Sequence, residues 1–457
     1  MKNEDNQDMS PPQENTISSI TRRIKVGEKV LDVVEDTLSR IKHYNDKINA
    51  FVSIFKDEAL VQAKSLDAKI SNGDKIGELG GIPLGIKDNI WVKSHPTTGA
   101  TKLFENFVPD SDAKVISRLR SEDSIIVGKN NLHALALGAT TSSSLFGPVR
   151  NPRDPQRIAG GSSGGTAAAI AQGMVPGGLG SDTGGSVRIP AAICGIAGFK
   201  PTLGVLSTQG VIPLSYTLDT VGTLANNVED CFSLFRAISP QGSRGFNKES
   251  KSDGADSFEL NSIKIGMANE YCGDLDTKIA KDFFHLIDRL KGSGVQIVDV
   301  KLPEIAQVHK ARSAIMLKEG MTIYSEAMGR PQEMFPPDVM GLLKMGESIT
   351  DQAYVEALDF KAQIATQLIE TFSMVDFIAM PTIPIVAPKL EEVIGNERGP
   401  VRGKLVRNTG LFNMTGMPTI SVPMGGENGL YTGFQLSANL LEDERLLPIG
   451  MLVEDLR

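Results

Sequence analysis

Cysteine is scarce in this chain: three in 457 residues, at Cys194, Cys231 and Cys272, with no C-x-x-C pair. That spacing gives no readable disulfide framework and no zinc knuckle, and it fits a reducing compartment. Long apolar runs are also missing. Nowhere do about 18 apolar residues follow one another, so no membrane-spanning helix is expected. The opening MKNEDNQDMSPPQENT is polar and acidic, without the apolar region of a secretory signal. Positive charge is nowhere massed. The 47 lysines and arginines stand against 55 acidic residues, a formal charge of −8, with no long basic run. This argues against nucleic acid or an anionic membrane as partner. The expectation is a cytoplasmic protein.

Apolar residues make up 40% of the chain and charged residues 22%, so a sizeable core is available. Residues 1–16 hold no apolar period and are expected to form a flexible tail, leaving 17–457 as the folded part. Ser18 to Phe51 has roughly helical spacing, and a second amphipathic helix is expected over Lys56 to Lys69. Leu84-Gly-Ile86 and Ser124-Ile-Ile-Val127 are short apolar runs beside glycines and suit buried strands, with a helical pattern from Ala113 to Glu122 between them. Further on, Ser262–Met267, Thr277–Leu290 and Val295–Val300 spell strand, helix, strand. Val375–Met380, Thr419–Val422 and Gly433–Leu436 add further strands. Such alternation implies an α/β fold, a largely buried sheet covered by helices. Gln241 to Ser257, rich in Gly, Ser, Asp and Lys, reads as an exposed loop.

Glycine is abundant, and ten of the 46 fall between Gly160 and Ser186. Composition alone would suit a flexible linker, but the stretch leads directly into Ala167-Ala-Ala-Ile-Ala171, a helix former. Bare backbone before a helix supplies convergent N–H groups, an anion-binding arrangement. An ordinary phosphate loop is excluded, because no G-x-x-x-x-G-K-[ST] occurs. Gly161-Ser-Ser163-Gly-Gly165 matches the short nucleophile-elbow pattern and would offer Ser163. That scheme needs a histidine downstream. Only His285 and His309 follow, both on helix-like stretches. A serine nucleophile without histidine needs another base, and Lys87 in Gly81-Ile-Pro-Leu-Gly-Ile-Lys-Asp-Asn-Ile90 is a candidate, since lysine is seldom buried unless paired or used. A strand-end lysine reaching to water is the competing account.

The block Gly160-Gly-Ser-Ser-Gly-Gly-Thr166, with Gly180-Ser-Asp-Thr-Gly-Gly-Ser-Val-Arg-Ile-Pro-Ala191 and Cys194 to Thr202, resembles the amidase signature family. So do Gly85-Ile-Lys-Asp-Asn89 and Met414 to Pro423, and the likeness is strongest over about 70–230. The resemblance implies one large domain, a twisted mixed sheet of about eleven strands sandwiched by helices. It implies Ser186 as nucleophile, Ser162 as a serine on a cis peptide bond, and Lys87 as base. Neither metal nor organic cofactor is called for. Chemically, an amide carbonyl needs a nucleophile, a proton acceptor and donors for the oxyanion. Burial would lower the proton affinity of Lys87, and Ser162 would pass the proton between it and Ser186. Backbone N–H groups of Thr183, Gly184, Gly185 and Ser186 are the expected oxyanion donors, and Asp182 and Arg188 are expected to brace that loop.

The expected substrate is a small, apolar alkyl or aryl amide, with carbamates and esters also open, and the arrangement leaves room for a homodimer. The alternative is the glutaminase subunit of a tRNA-dependent amidotransferase, which carries the same signature and passes ammonia to a companion protein. Against it, no arginine stands near Met340-Gly-Leu-Leu-Lys344, where a clamp for glutamine's carboxylate is expected, and Val406-Arg-Asn-Thr-Gly-Leu411 holds no aspartate. Free glutamine is therefore expected to be a poor substrate. Met316, Met321, Met328, Met334, Met340 and Met345 crowd into 30 residues, either as helical core or as an adaptable apolar substrate wall.

Overall fold

Short β-branched and glycine-containing runs build the centre of the molecule, and longer amphipathic segments close over them. The computed structural model describes residues 15–240, 260–426 and 429–457. Its strands, in chain order, are β1 (Phe51–Ile54), β2 (Pro83–Lys87), β3 (Ile125–Asn130), β4 (Arg150–Asn151), β5 (Asp154–Ile158), β6 (Gly177–Asp182), β7 (Ala197–Lys200), β8 (Thr220–Ala225), β9 (Lys264–Met267), β10 (Gln296–Asp299), β11 (Phe377–Pro381), β12 (Thr419–Gly425) and β13 (Tyr431–Ser437). Eleven of them form one sheet in the order β1-β3-β2-β6-β8-β7-β12-β13-β11-β9-β10, while β4 and β5 pair separately. The sheet is mixed: β2 runs parallel to β3 and β6, and β9 runs parallel to β10 and β11. The β6–β8, β7–β8, β7–β12, β12–β13 and β11–β13 pairs are antiparallel.

Every residue of β2, β3, β6, β8 and β11 is buried. These strands therefore lack an apolar/polar alternation, as expected for a sheet covered on both faces. This is the single α/β domain of eleven main strands that the resemblance implied. The helix Gly164–Ala171 is buried along its whole length, which is why its sequence is confined to Gly, Thr, Ala and Ile.

Two expectations need adjusting. The helical pattern from 18 to 51 is two helices, Ile17–Lys25 and Val30–Ile48, separated at Gly27, whose φ of +109° suits glycine. Residues 15 and 16, expected within the flexible tail, belong to the folded part: Asn15 is buried and donates to Gly173 O (2.7 Å), and Thr16 caps the first helix by accepting from Ser19 N (3.0 Å). The loop expected over Gln241–Ser257, like residues 1–14, lies outside the described residues. Among the described residues no helix is long and apolar enough to cross a membrane.

Candidate active site

Two neighbouring parallel strands set the floor of the site. β2 ends on Lys87, and β6 ends on Asp182, from which the turn Thr183–Val187 leads into the helix Arg188–Cys194. The strands approach closely because glycines face one another: a Cβ on Gly178 would fall 2.3 Å from Gly85 O. Beside them the Gly161–Ser162 peptide is cis, as the resemblance implied, immediately before the helix Gly164–Ala171.

Lys87 is fully buried, and its Nζ donates to Ser162 Oγ (2.7 Å) and Ser181 Oγ (2.8 Å). Burial pushes its proton affinity down, Asp182 and Asp219 pull it back up, and the balance is a pKa of about 7. No carboxylate forms a salt bridge with it among the described residues, which separates it from Lys129, equally buried but 2.9 Å from Asp88. Ser186 is 8% exposed and lines a small cavity with Thr183 and Gly184. Ser163 turns the other way: its hydroxyl donates to Ser181 O (3.2 Å) and fills the space above Gly180. The elbow pattern at Ser163 thus describes a residue packed into the sheet.

Asp182 and Arg188 pair across the turn. Arg188 grips Asp182 with its Nε and Nη2 edge (3.1 and 3.0 Å), and its remaining donors go to Thr409 O, Gln435 Oε1 and Asn413 Oδ1. Burial opposes a charge on Asp182, but Arg188 and Asn413 outweigh it and keep the carboxyl well below the usual carboxylate range. Asp182 also accepts from Gly185 N (2.7 Å) and Val187 N (3.1 Å). One of the four expected oxyanion donors is thereby engaged. The Gly185 N–H is engaged by Asp182, while those of Thr183, Gly184 and Ser186 have no partner among the described residues.

Several residues escaped the sequence reading. Ser181, next to the aspartate of the signature block, fixes the amine of Lys87. His133 gives its backbone N–H to Ser162 O (3.1 Å), while its ring lies 4.0 Å from Glu397 and 3.9 Å from Asp338. Above the cavity stand Arg312, on the helix Ile305–Met328, and Arg402, on the helix Pro400–Leu405, with Met316 beside them. The stretch 340–344 supplies no arginine, as read from the sequence; Arg312 and Arg402 come from elsewhere in the chain and line the same cavity as Ser186. Of the six clustered methionines, Met316 alone lines this cavity. Met340 is buried in the core and Met345 is exposed, so the segment is mostly helix packing. Among the described residues no group of three His, Cys, Asp or Glu side chains is placed to hold a metal ion.

Comparison with known proteins gives concordant findings. The family model described as Amidase matches residues 32–447. A glutamyl-tRNA(Gln) amidotransferase subunit from Clostridium acetobutylicum is 37% identical over 89% of this chain and 91% of its own length. A crystal structure of an amidase superposes with a TM-score of 0.87 at 30% identity, covering 96% of this chain and 99% of that one. The corresponding glutamyl-tRNA(Gln) amidotransferase subunit of Thermotoga maritima gives a TM-score of 0.81 at 29% identity, over 98% and 96% of the two chains.

Proposed function

Since the chain belongs to the amidase signature family, whose members act on amide C–N bonds, we propose that it hydrolyses small carboxylic amides through an acyl-enzyme on Ser186. The observation that supports this best is Lys87: a buried lysine 2.7 Å from Ser162 Oγ, with a proton affinity low enough to leave a large neutral fraction near pH 7. In the mechanism, Ser186 Oγ attacks the carbonyl carbon, and its proton passes through the Ser162 hydroxyl to the neutral amine of Lys87. The negative oxygen is received by the N–H groups of Thr183, Gly184 and Ser186. Collapse breaks the C–N bond, and the proton returns from Lys87 through Ser162 to the leaving nitrogen. Water then attacks the acyl carbon along the same relay in reverse, giving carboxylate and free Ser186. No step calls on a histidine.

The test is covalent. A fluorophosphonate probe should label the protein once, and peptide mapping should find the adduct on Ser186. An adduct on Ser163, or none under conditions that label a control serine hydrolase, would overturn the assignment.

A second reading is favoured by the Clostridium acetobutylicum relative: a glutamine-hydrolysing subunit that hands ammonia to a partner. Release of ammonia from glutamine that rises strongly when companion subunits co-purify would select it.

A further inference from the structure

Two arginines above the cavity have no task in the chemistry just described. Arg312 is 1% exposed, and its Nε and Nη2 have no hydrogen-bond partner among the described residues; its Nη1 touches only Met316 Sδ, at 3.8 Å. Arg402 is little better served: its Nε lies 3.7 Å from Glu397 Oε1 and its Nη2 4.0 Å from Met316 Sδ. Glu397 meanwhile accepts from Ala139 N (2.5 Å) and Thr140 Oγ1 (2.6 Å). Two guanidiniums thus line the cavity, and the carboxylate beside Arg402 already has other donors.

Arg188, a few residues from the nucleophile, shows what the empty edge of Arg312 is suited to. In Arg188 the Nε and Nη2 donors form a fork around the two oxygens of Asp182. In Arg312 the same two donors are bare. A buried cation left so is costly unless an anion arrives to share its protons. Glycine on both sides lets the backbone lie close against the guanidinium without crowding it. A Cβ on Gly184 would fall 2.7 Å from Arg312 Nη1, and one on Gly410 would fall 3.0 Å from its Nε. Gly184 also presents one of the free N–H groups beside Ser186, so an anion held by Arg312 lies close to the carbonyl under attack.

On the reading that Ser186 attacks an amide here, we infer that the substrate also bears a carboxylate, received by the Nε and Nη2 edge of Arg312 with Arg402 beside it. The preferred substrates are then short monoamides of dicarboxylic acids or amino-acid amides of similar size. Burial and the neighbouring charge of Arg402 bring the proton affinity of Arg312 down to about 9, still leaving it charged at neutral pH. The apolar preference expected from the methionine-rich stretch gives way to an anionic one.

The test compares matched pairs in which a methyl replaces the carboxylate: malonamate with propionamide, succinamate with butyramide, glutaramate with valeramide, and L-glutamine alongside. The wild-type protein should favour at least one acid over its neutral partner by about 10- to 100-fold in kcat/KM, the weight of a charge-assisted fork. In Arg312→Met that preference should fall towards one, mainly through KM. The ligand-free melting temperature of Arg312→Met should hold or rise, because a buried charge without a partner has been removed; a merely structural arginine would lower it. Equal turnover of acids and neutral amides by a protein that is labelled on Ser186 would overturn the clamp and leave the hydrolase intact. If Ser186 is not labelled, the hydrolase reading fails, and titration calorimetry with malonate, succinate and glutarate decides the clamp: binding that Arg312→Met abolishes supports it, and no binding overturns it.

Discussion

The floor and the roof of this cavity are built by opposite means. The floor is one continuous stretch of chain, Gly160 to Cys194, with β2 laid against it, and the buried arginine of that stretch is matched within it. Arg188 and Asp182 satisfy one another, and both are wholly buried. The roof brings together Arg312 and Arg402, 90 residues apart in sequence on two helices, and leaves Arg312 unmatched. A matched buried pair makes a rigid turn and can hold backbone N–H groups in place. An unmatched buried cation makes a receptor. The difference predicts that substitutions in the floor abolish chemistry or folding, whereas substitutions in the roof change which substrate is chosen.

The largest effect should come from Ser186→Ala, which removes the attacking oxygen. Turnover should drop by about 10⁴-fold or more, while Met316→Leu in the roof, similar in volume, should stay within about tenfold of wild type. A Met316→Leu loss approaching that of Ser186→Ala, measured as kcat on the best amide, would erase the distinction between the two regions.

Next comes Lys87. Lys87→Ala should cost about 10² to 10⁴-fold, the usual weight of proton transfer, and Lys87→Arg should not restore activity because a guanidinium stays protonated. Replacing His285 or His309 should leave the rate within about twofold, since neither lies in the cavity. A histidine variant as inactive as Lys87→Ala would require a Ser–His scheme instead.

Stability gives the third contrast. Arg188→Met leaves Asp182 buried without its cation and should cost about 3–5 kcal/mol in denaturant unfolding. Arg312→Met should cost nothing. If both variants lose stability alike, Arg312 is a structural residue and the roof is no receptor.

The floor was legible in the sequence because its function is local. Lys87, Ser162 and Ser186 stand in uninterrupted blocks whose glycines are demanded by contacts within the same few strands. Amphipathic helices such as Lys56–Ser71 and Thr277–Gly292 were legible from their period. β6 was not, since Gly-Gly-Leu-Gly-Ser-Asp has almost no strand propensity, and only the close approach of β2 and the helix Gly164–Ala171 explains it. The roof was illegible for a different reason. An arginine on a helix reads as a solvent-facing residue, and nothing in the residues around Arg312 or Arg402 announces that their helices pack over the same cavity. The stretch 340–344 lies on another helix, so matching it to a clamp by position alone passes both arginines by.

The smallest effect, and the one that bears most directly on Lys87, is the pH profile. If the amine must be neutral, the competent fraction rises tenfold per pH unit below its pKa and levels off above. With a folded value of about 7, kcat/KM should climb about tenfold between pH 6 and 8 and then flatten. The charged groups that act on Lys87 are Asp182 and Asp219, which favour its protonated form. His133 is buried nearby with its own proton affinity lowered, first by that burial, which disfavours its charged form. One ionisation should therefore dominate. The same shift must appear in stability. The unfolded lysine keeps its ordinary value of 10.5, so between about 7 and 10.5 the unfolded chain binds one proton more than the folded one, and stability due to Lys87 increases with pH across that window. Lys87→Met should remove this part of the slope and leave the equal part due to Lys200, whose burial likewise lowers it to about 7. Wild-type and Lys87→Met unfolding curves that stay parallel from pH 7 to 10 would place Lys87 near its ordinary value, and an amine protonated at neutral pH cannot take the proton of Ser186.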